Sequence, residues 1–396
     1  MPGFEVVGAE EKQALIDLFD KQNGILFRHG FDALRNGRFQ VLDFEREFAE
    51  YVGAKHALAV QSGTAAVKVA LKAIGVGQGD EVITQAFTFI ATMEAIFDCG
   101  AKPVIVNCDE TLNMNPAELE ARITPQTKAI CPVHMLGVAA DLDPICAIAR
   151  KAGIPVFEEN CEALGTRYGG AFLGTITEVG AFSFDFGKVI TCGEGGMVTT
   201  NDEETYKRAK EYHDHGHESN PAFPRGRDTR RMWGFNYRMT EMQGAVGIAQ
   251  LRKLDMIRAA NERNYKRLEK GLQGIAGLGF REIPSKCQPL YDTLIINLPT
   301  AEQTSAFVAG MAREKLGTKN IPDAAEWHFA GYWDHMADAL GYTKESLWET
   351  FAPTQAILAR SVSLPVMVKE TETAPVGYNL SCGKRRGQCP MLKITA

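Results

Sequence analysis

The stretch from Gly180 to Met197, GAFSFDFGKVITCGEGGM, holds a single lysine, Lys188, between an aromatic run and the glycine-rich turn Gly193-Glu194-Gly195-Gly196. Phe182, Phe184 and Phe186 alternate as on a strand, so the spacing predicts a strand that delivers Lys188 to a partly apolar site. Burial disfavours the charged form of an amine and lowers its pKa, which frees the neutral nucleophile. The natural partner of such an amine is an aldehyde. A lysine snorkelling at a strand end also accounts for the spacing, and the residues alone leave both readings open.

Upstream, Ser62-Gly63-Thr64 opens a helix expected over 65–74. Ser or Thr with Gly at a helix start exposes unpaired N–H groups and the positive end of the helix dipole, which suits a phosphate. An ordinary N-cap reads the same way. The run Glu158-Glu159-Asn160-Cys161-Glu162 places three carboxylates beside a strand expected over 155–157. His213, His215 and His217 alternate, yet no cysteine or second cluster stands at ligand spacing. A solvated loop with no metal is expected there.

The elements that must position these residues alternate. Strands are expected at 56–60, 81–84, 102–106, 127–133 and 155–157, with helices at 65–74, 88–98, 116–123 and 142–152 between them. Apolar runs of strand length alternating with amphipathic helices indicate a parallel sheet covered on both faces. No G-x-G-x-x-G follows the first strand, so the dinucleotide fingerprint is absent. An amphipathic helix is expected over 10–21, a charged helix over 202–212, a further one over 240–256 and a long one over 258–272. A strand at 292–298 and a helix at 301–314 then lead into a smaller unit.

At 396 residues, with 45% hydrophobic and 23% charged residues, the chain suits a large soluble domain and a small one. A net charge of -6 gives no reason to expect nucleic acid as a partner. No apolar run is long enough to span a bilayer and the N-terminus lacks a signal peptide's pattern, so a cytoplasmic protein with no membrane partner is expected. The nine cysteines lack a CxxC pair and read as free thiols, several of them (Cys99, Cys131, Cys146, Cys161) in apolar segments.

The order SGTAA, FTFIAT, EENCEALG, SFDFGK with GEGG, and GFNYRMTEMQGAVGIAQLRKLD resembles the DegT/DnrJ/EryC1/StrS sugar aminotransferases from about Phe44 to Asp255. The resemblance implies an α/β, aspartate-aminotransferase-like type I fold with a mostly parallel seven-stranded sheet between helices and a smaller C-terminal α+β domain. It divides the chain into an N-terminal arm (1–43), a large cofactor-binding domain (44–257) and a small domain (258–396).

It also implies pyridoxal 5'-phosphate as cofactor, with Lys188 the catalytic lysine that holds its aldehyde. Gly63, Thr64 and Ser183 match the phosphate contacts, and Phe89 the ring that lies on the pyridine, although a helix-start core residue also suits Phe89. Glu159 stands where the family has an aspartate for the ring nitrogen, and Glu162 where it has His or Gln facing the ring hydroxyl. Asn236 matches the asparagine that reaches the partner subunit's cofactor phosphate, which implies a homodimer with shared sites.

By the same resemblance, L-glutamate is the amino donor and a keto- or aldehyde-sugar the acceptor. Glu159 and the wording of EENCEALG and SFDFGK are similar to the branch that forms 8-amino-3,8-dideoxy-manno-octulosonate for lipopolysaccharide. A nucleotide-linked 3- or 4-keto-6-deoxysugar is the alternative acceptor, and a non-catalytic cofactor-binding regulatory protein the alternative class. The segment FRHGFDALRNGRF departs from the family. Arg28, His29 and Arg35 are expected either to form a basic lip for an anionic substrate or to belong to a solvated arm on a partner subunit. A mobile active-site loop is expected over 220–231, and the aromatics Trp327, Phe329, Tyr332 and Trp333 suit either a sugar face or a core.

Overall fold

The computed structural model describes residues 3–369 of the 396, so the irregular tail that begins at Cys382 lies outside the described residues. Seven strands form the main sheet. Four run in the order His56–Val60, Gly196–Thr200, Val179–Ser183, Phe157–Glu159. Parallel bridges from Val156 to Ile130 and from Glu159 to Val133 join them to Thr127–Ile130, Glu81–Gln85 and Lys102–Val106. Only Gly196–Thr200 runs antiparallel to both neighbours. Parallel strands need crossovers, and the helices Gly63–Ala73, Ala91–Asp98 and Leu142–Ala152 supply them.

The burial follows from the composition of these segments. The strands His56–Val60, Glu81–Gln85, Val179–Ser183 and Gly196–Thr200 are buried along nearly their whole length, as expected for a sheet covered on both faces. Phe44 and Phe48 of the helix Gln40–Val52 meet Phe182 and Phe184 at 5.1–5.6 Å between ring centroids, in tilted and edge-to-face arrangements. Aromatic alternation past Phe184 does not continue the strand, which ends at Ser183. Phe186 is exposed in the following turn and stacks on Phe4.

A second, three-stranded antiparallel sheet joins Gly279–Phe280, Thr293–Asn297 and Ser361–Pro365, packed with the helices Leu254–Leu272 and Ala301–Arg313 around Leu294, Ile296, Met311 and Val362. Between these strands the chain returns to the first core, where Phe329 and Trp333 are buried. Core packing is therefore the role of those two rings, while Trp327 and Tyr332 stay exposed. The helix expected over 240–256 is two helices, Glu241–Leu251 and Leu254–Leu272; at the turn between them Lys253 pairs with Glu11 of the N-terminal helix at 2.6 Å. Among the described residues no helix is long and apolar enough to cross a membrane.

The strand expected over 155–157 lies instead at Phe157–Glu159, which puts Glu158 and Glu159 on opposite faces of the sheet. Glu158 is fully buried and accepts hydrogen bonds from the Gly174, Ile176 and Thr177 N–H groups and the Thr177 hydroxyl at 2.8–3.1 Å. It holds the 174–177 turn against the sheet. Removing that carboxylate strands one buried and three part-buried donors, so Glu158→Ala is expected to cost about 3 kcal/mol of stability, read as a fall in the urea midpoint. A midpoint equal to the wild type's would mean the turn does not depend on it.

Candidate active site

In open α/β sheets the crevice lies beyond the carboxyl ends of the parallel strands. Ser62 to Thr64 follow His56–Val60, Phe89 and Thr92 follow Glu81–Gln85, Glu159 ends its strand, and Ser183 and Lys188 close Val179–Ser183. All of them line one cavity of about 450 Å³. Of the residues singled out in the sequence, Gly63, Thr64, Phe89, Glu159, Glu162, Ser183 and Lys188 meet there.

The helix Gly63–Ala73 starts with its first N–H groups unpartnered within the helix, and Ser62 Oγ caps Ala65 N at 3.1 Å. A Cβ at Gly63 would stand 2.7 Å from Ser183 Cβ and 2.8 Å from its Oγ. Glycine is required for the helix start and the serine to share one wall, and together they form a concave polar surface fit for a phosphate.

Glu159 accepts from Cys161 N at 2.7 Å, while its other oxygen has only Thr92 Oγ1 at 3.5 Å. Burial pushes its carboxyl above the usual range. A cation placed in the cavity would offset that burial, and a protonated ring nitrogen is such a cation. Phe89 is exposed in the cavity wall, near Trp327 and the His328 ring.

The charge state of Lys188 differs from the expectation of a depressed pKa. Burial does act downward, but Glu162, Cys161, Glu159 and Asp185 surround the amine and the net effect is upward. Lys188 Nζ stands 3.6 Å from Glu162 Oε1. Glu162 also accepts from Asn320 Nδ2 and from Leu136 N, each at 3.2 Å, and lies 3.7 Å from His328 Nε2. Despite its burial, Lys188, His328 and Lys319 hold its carboxyl well below the usual range.

The remaining candidates lie elsewhere. Arg28 reaches Glu45 at 2.5 Å and the Ala59 carbonyl at 2.9 Å, clamping the helix Gln40–Val52 to the first strand. Arg35 is wholly buried, donating to the Phe27 and Ile25 carbonyls 3.7 Å from Glu241. His29 sits against Phe27, its pKa lowered to about 4 by burial and by Arg225. None of the three lines the cavity, so this chain's own site has no basic lip. Glu45 and Glu241 pull the two arginines inward.

Asn236 is exposed and outside the cavity of its own chain. The 220–231 segment is also outside it, with Arg225 paired to Asp214 and Arg231 to Glu204 and Glu218. His213 and His217 are buried and only His215 of the three is exposed, which corrects the expectation of a solvated loop.

Lys319, Asn320 and His328 were not singled out as site residues, yet all three line the cavity. Lys319 is held by Asp292 at 2.6 Å and Thr293 Oγ1 at 2.8 Å. No local motif marks them. The amine, the carboxyl short of a cation and the open helix start are the three groups that pyridoxal phosphate requires, and the cavity fits it. Gly63→Ala is expected to weaken its binding about tenfold or more by pushing Ser183 away, measured by titration; undiminished affinity would remove the helix start from the phosphate site.

Comparison with known proteins agrees with this geometry. The sequence profile of the DegT/DnrJ/EryC1/StrS aminotransferase family matches residues 31–376. GDP-perosamine synthase of Caulobacter vibrioides is 45% identical over 232 residues, 57% of this chain and 60% of that protein. The 3-amino-5-hydroxybenzoate synthase of Amycolatopsis mediterranei is 40% identical over 249 residues, 62% of this chain and 63% of that one. The matched region thus spans somewhat under two thirds of these relatives. A crystal structure of 3-amino-5-hydroxybenzoic acid synthase superposes with a TM-score of 0.78 at 31% identity, covering 91% of this chain and 92% of that one. The fold is accordingly that of type I pyridoxal-phosphate enzymes, and the chain belongs to the DegT/DnrJ/EryC1/StrS aminotransferase family.

Proposed function

We propose that this chain is a pyridoxal-phosphate aminotransferase that moves the amino group of L-glutamate onto a carbonyl sugar. The observation that carries the proposal is convergence: Lys188, Glu159 and the Gly63–Ser183 wall, from separate parts of the chain, face one cavity. When bound, the cofactor supplies an electron sink for bond breaking at the amino-bearing carbon. Lys188 would hold the cofactor's aldehyde carbon, and its amine is placed to carry a proton at the amino-bearing carbon of the substrate. Glu159 would hold the ring nitrogen, the Gly63 and Thr64 N–H groups with the Ser183 hydroxyl would hold the phosphate, and Phe89 would pack on the ring.

Asn236, exposed and not part of its own chain's cavity lining, serves the site of a second copy in a homodimer. Of the acceptors, a carboxylated octulosonate is favoured by the Glu159-bearing motif. A nucleotide-linked keto sugar is the other reading, supported by the name of the perosamine synthase relative.

Adding the cofactor to the wild type is expected to produce a visible absorption band that L-glutamate bleaches. In Lys188→Ala the band is absent and the reaction with glutamate falls about a thousandfold. Turnover near the wild-type rate in that variant would sink the proposal, and a band that glutamate leaves untouched would favour a non-catalytic cofactor binder. Mixing Lys188→Ala and Asn236→Ala subunits should restore about a quarter of wild-type activity, since half of random dimers are hybrids with one intact site. No recovery after confirmed subunit exchange would exclude sharing. After loading with glutamate, comparison of a carboxylated octulosonate with nucleotide-linked keto sugars identifies the acceptor.

A further inference from the structure

The charges behind Lys188 form an alternating ladder. Asp292 Oδ2 pairs with Lys319 Nζ at 2.6 Å, Lys319 faces Glu162, and Glu162 Oε1 stands 3.6 Å from Lys188 Nζ. Asn320 Nδ2 and Leu136 N each donate to the Glu162 carboxylate at 3.2 Å, so it is fixed from both ends. His328 stands beside it with its own ring settled: Nδ1 lies 2.8 Å from the Ala324 carbonyl, which can only accept, and Nε2 lies 3.0 Å from Asn320 Nδ2.

We infer that Glu162 is the positioning residue for Lys188, a carboxylate tether that holds the free ammonium on the cavity wall and sets the pH at which the amine can attack. The inference rests on Lys188 being the amine that captures the aldehyde. Three further groups face that amine: Cys161 and Glu159 from the end of the neighbouring strand, and Asp185 from its own turn. Glu159 is shared with the Cys161 N–H and Asp185 accepts from Gly187 N at 2.8 Å. Glu162 is the carboxylate with an oxygen directed at Nζ. An ion pair favours the ammonium, so the tether delays attack until the pH is higher. A neutral His or Gln at this place would exert no such hold. In exchange, an amine displaced during turnover returns to one defined position instead of swinging into solvent.

The test follows the growth of the visible band on mixing cofactor-free protein with pyridoxal phosphate across about pH 6 to 10. Capture adds the neutral amine nitrogen to the aldehyde carbon and releases one water, so its rate tracks the neutral fraction of Lys188. Glu162→Gln is expected to move the midpoint down by about one unit, giving about tenfold faster capture near neutrality. Glu162→Asp keeps the charge and should stay within about threefold of the wild type. Lys319→Met leaves Glu162 and Asp292 uncompensated and should move the midpoint up.

A Glu162→Gln profile that superposes on the wild type's would overturn the inference. If that variant does not fold, an unmoved or downward midpoint in Lys319→Met would do the same. Failure of the wild type itself to form a band would overturn the cofactor reading, and the inference with it.

Discussion

The whole site depends on how closely two segments can approach at Gly63 and Ser183. The missing side chain lets the start of the Gly63–Ala73 helix rest on the end of the Val179–Ser183 strand. That contact brings a helix's positive end and a serine hydroxyl to one point, a few residues ahead of Lys188. A methyl group there would separate the anion site from the amine. Each group would survive, but no ligand of fixed length could reach both.

Around this contact the electrostatics are arranged by burial. Carboxylates at Glu159, Glu162 and Asp185 surround a single amine, which explains why the amine is held as an ammonium instead of being neutralised by its apolar neighbours. The opposite assignment, a lysine neutralised by desolvation, follows from aromatic neighbours alone. It fails because charge at a few ångströms outweighs partial burial. Glu159 has the complementary condition, a buried carboxyl with few donors.

How much of this was legible in the chain depended on the range of each interaction. The alternation of strands and helices, the helix start at Ser62 and the lysine after the aromatic run are local patterns, and each was readable as written. The resemblance singled out Glu159, but the residues alone did not show why Glu158 turns away: neighbouring residues of a strand face opposite sides of the sheet, and Glu158 is taken up by the 174–177 turn. Arg28 and Arg35 read as an exposed basic cluster since their partners, Glu45 and Glu241, are distant in sequence. Lys319, Asn320 and His328 join the cavity through tertiary packing of the C-terminal half, and nothing in their neighbours announces it.

The antiparallel strand Gly196–Thr200 has a consequence for synthesis. Among the described strands it is the one that joins His56–Val60 to the sheet, with His56 opposite Thr200. During translation the first strand therefore waits without a sheet partner until the ribosome has released residues far downstream. Such distant pairing slows folding and leaves a sticky edge on the nascent polypeptide. Chaperone dependence and truncation products ending before residue 196 are where that delay would surface.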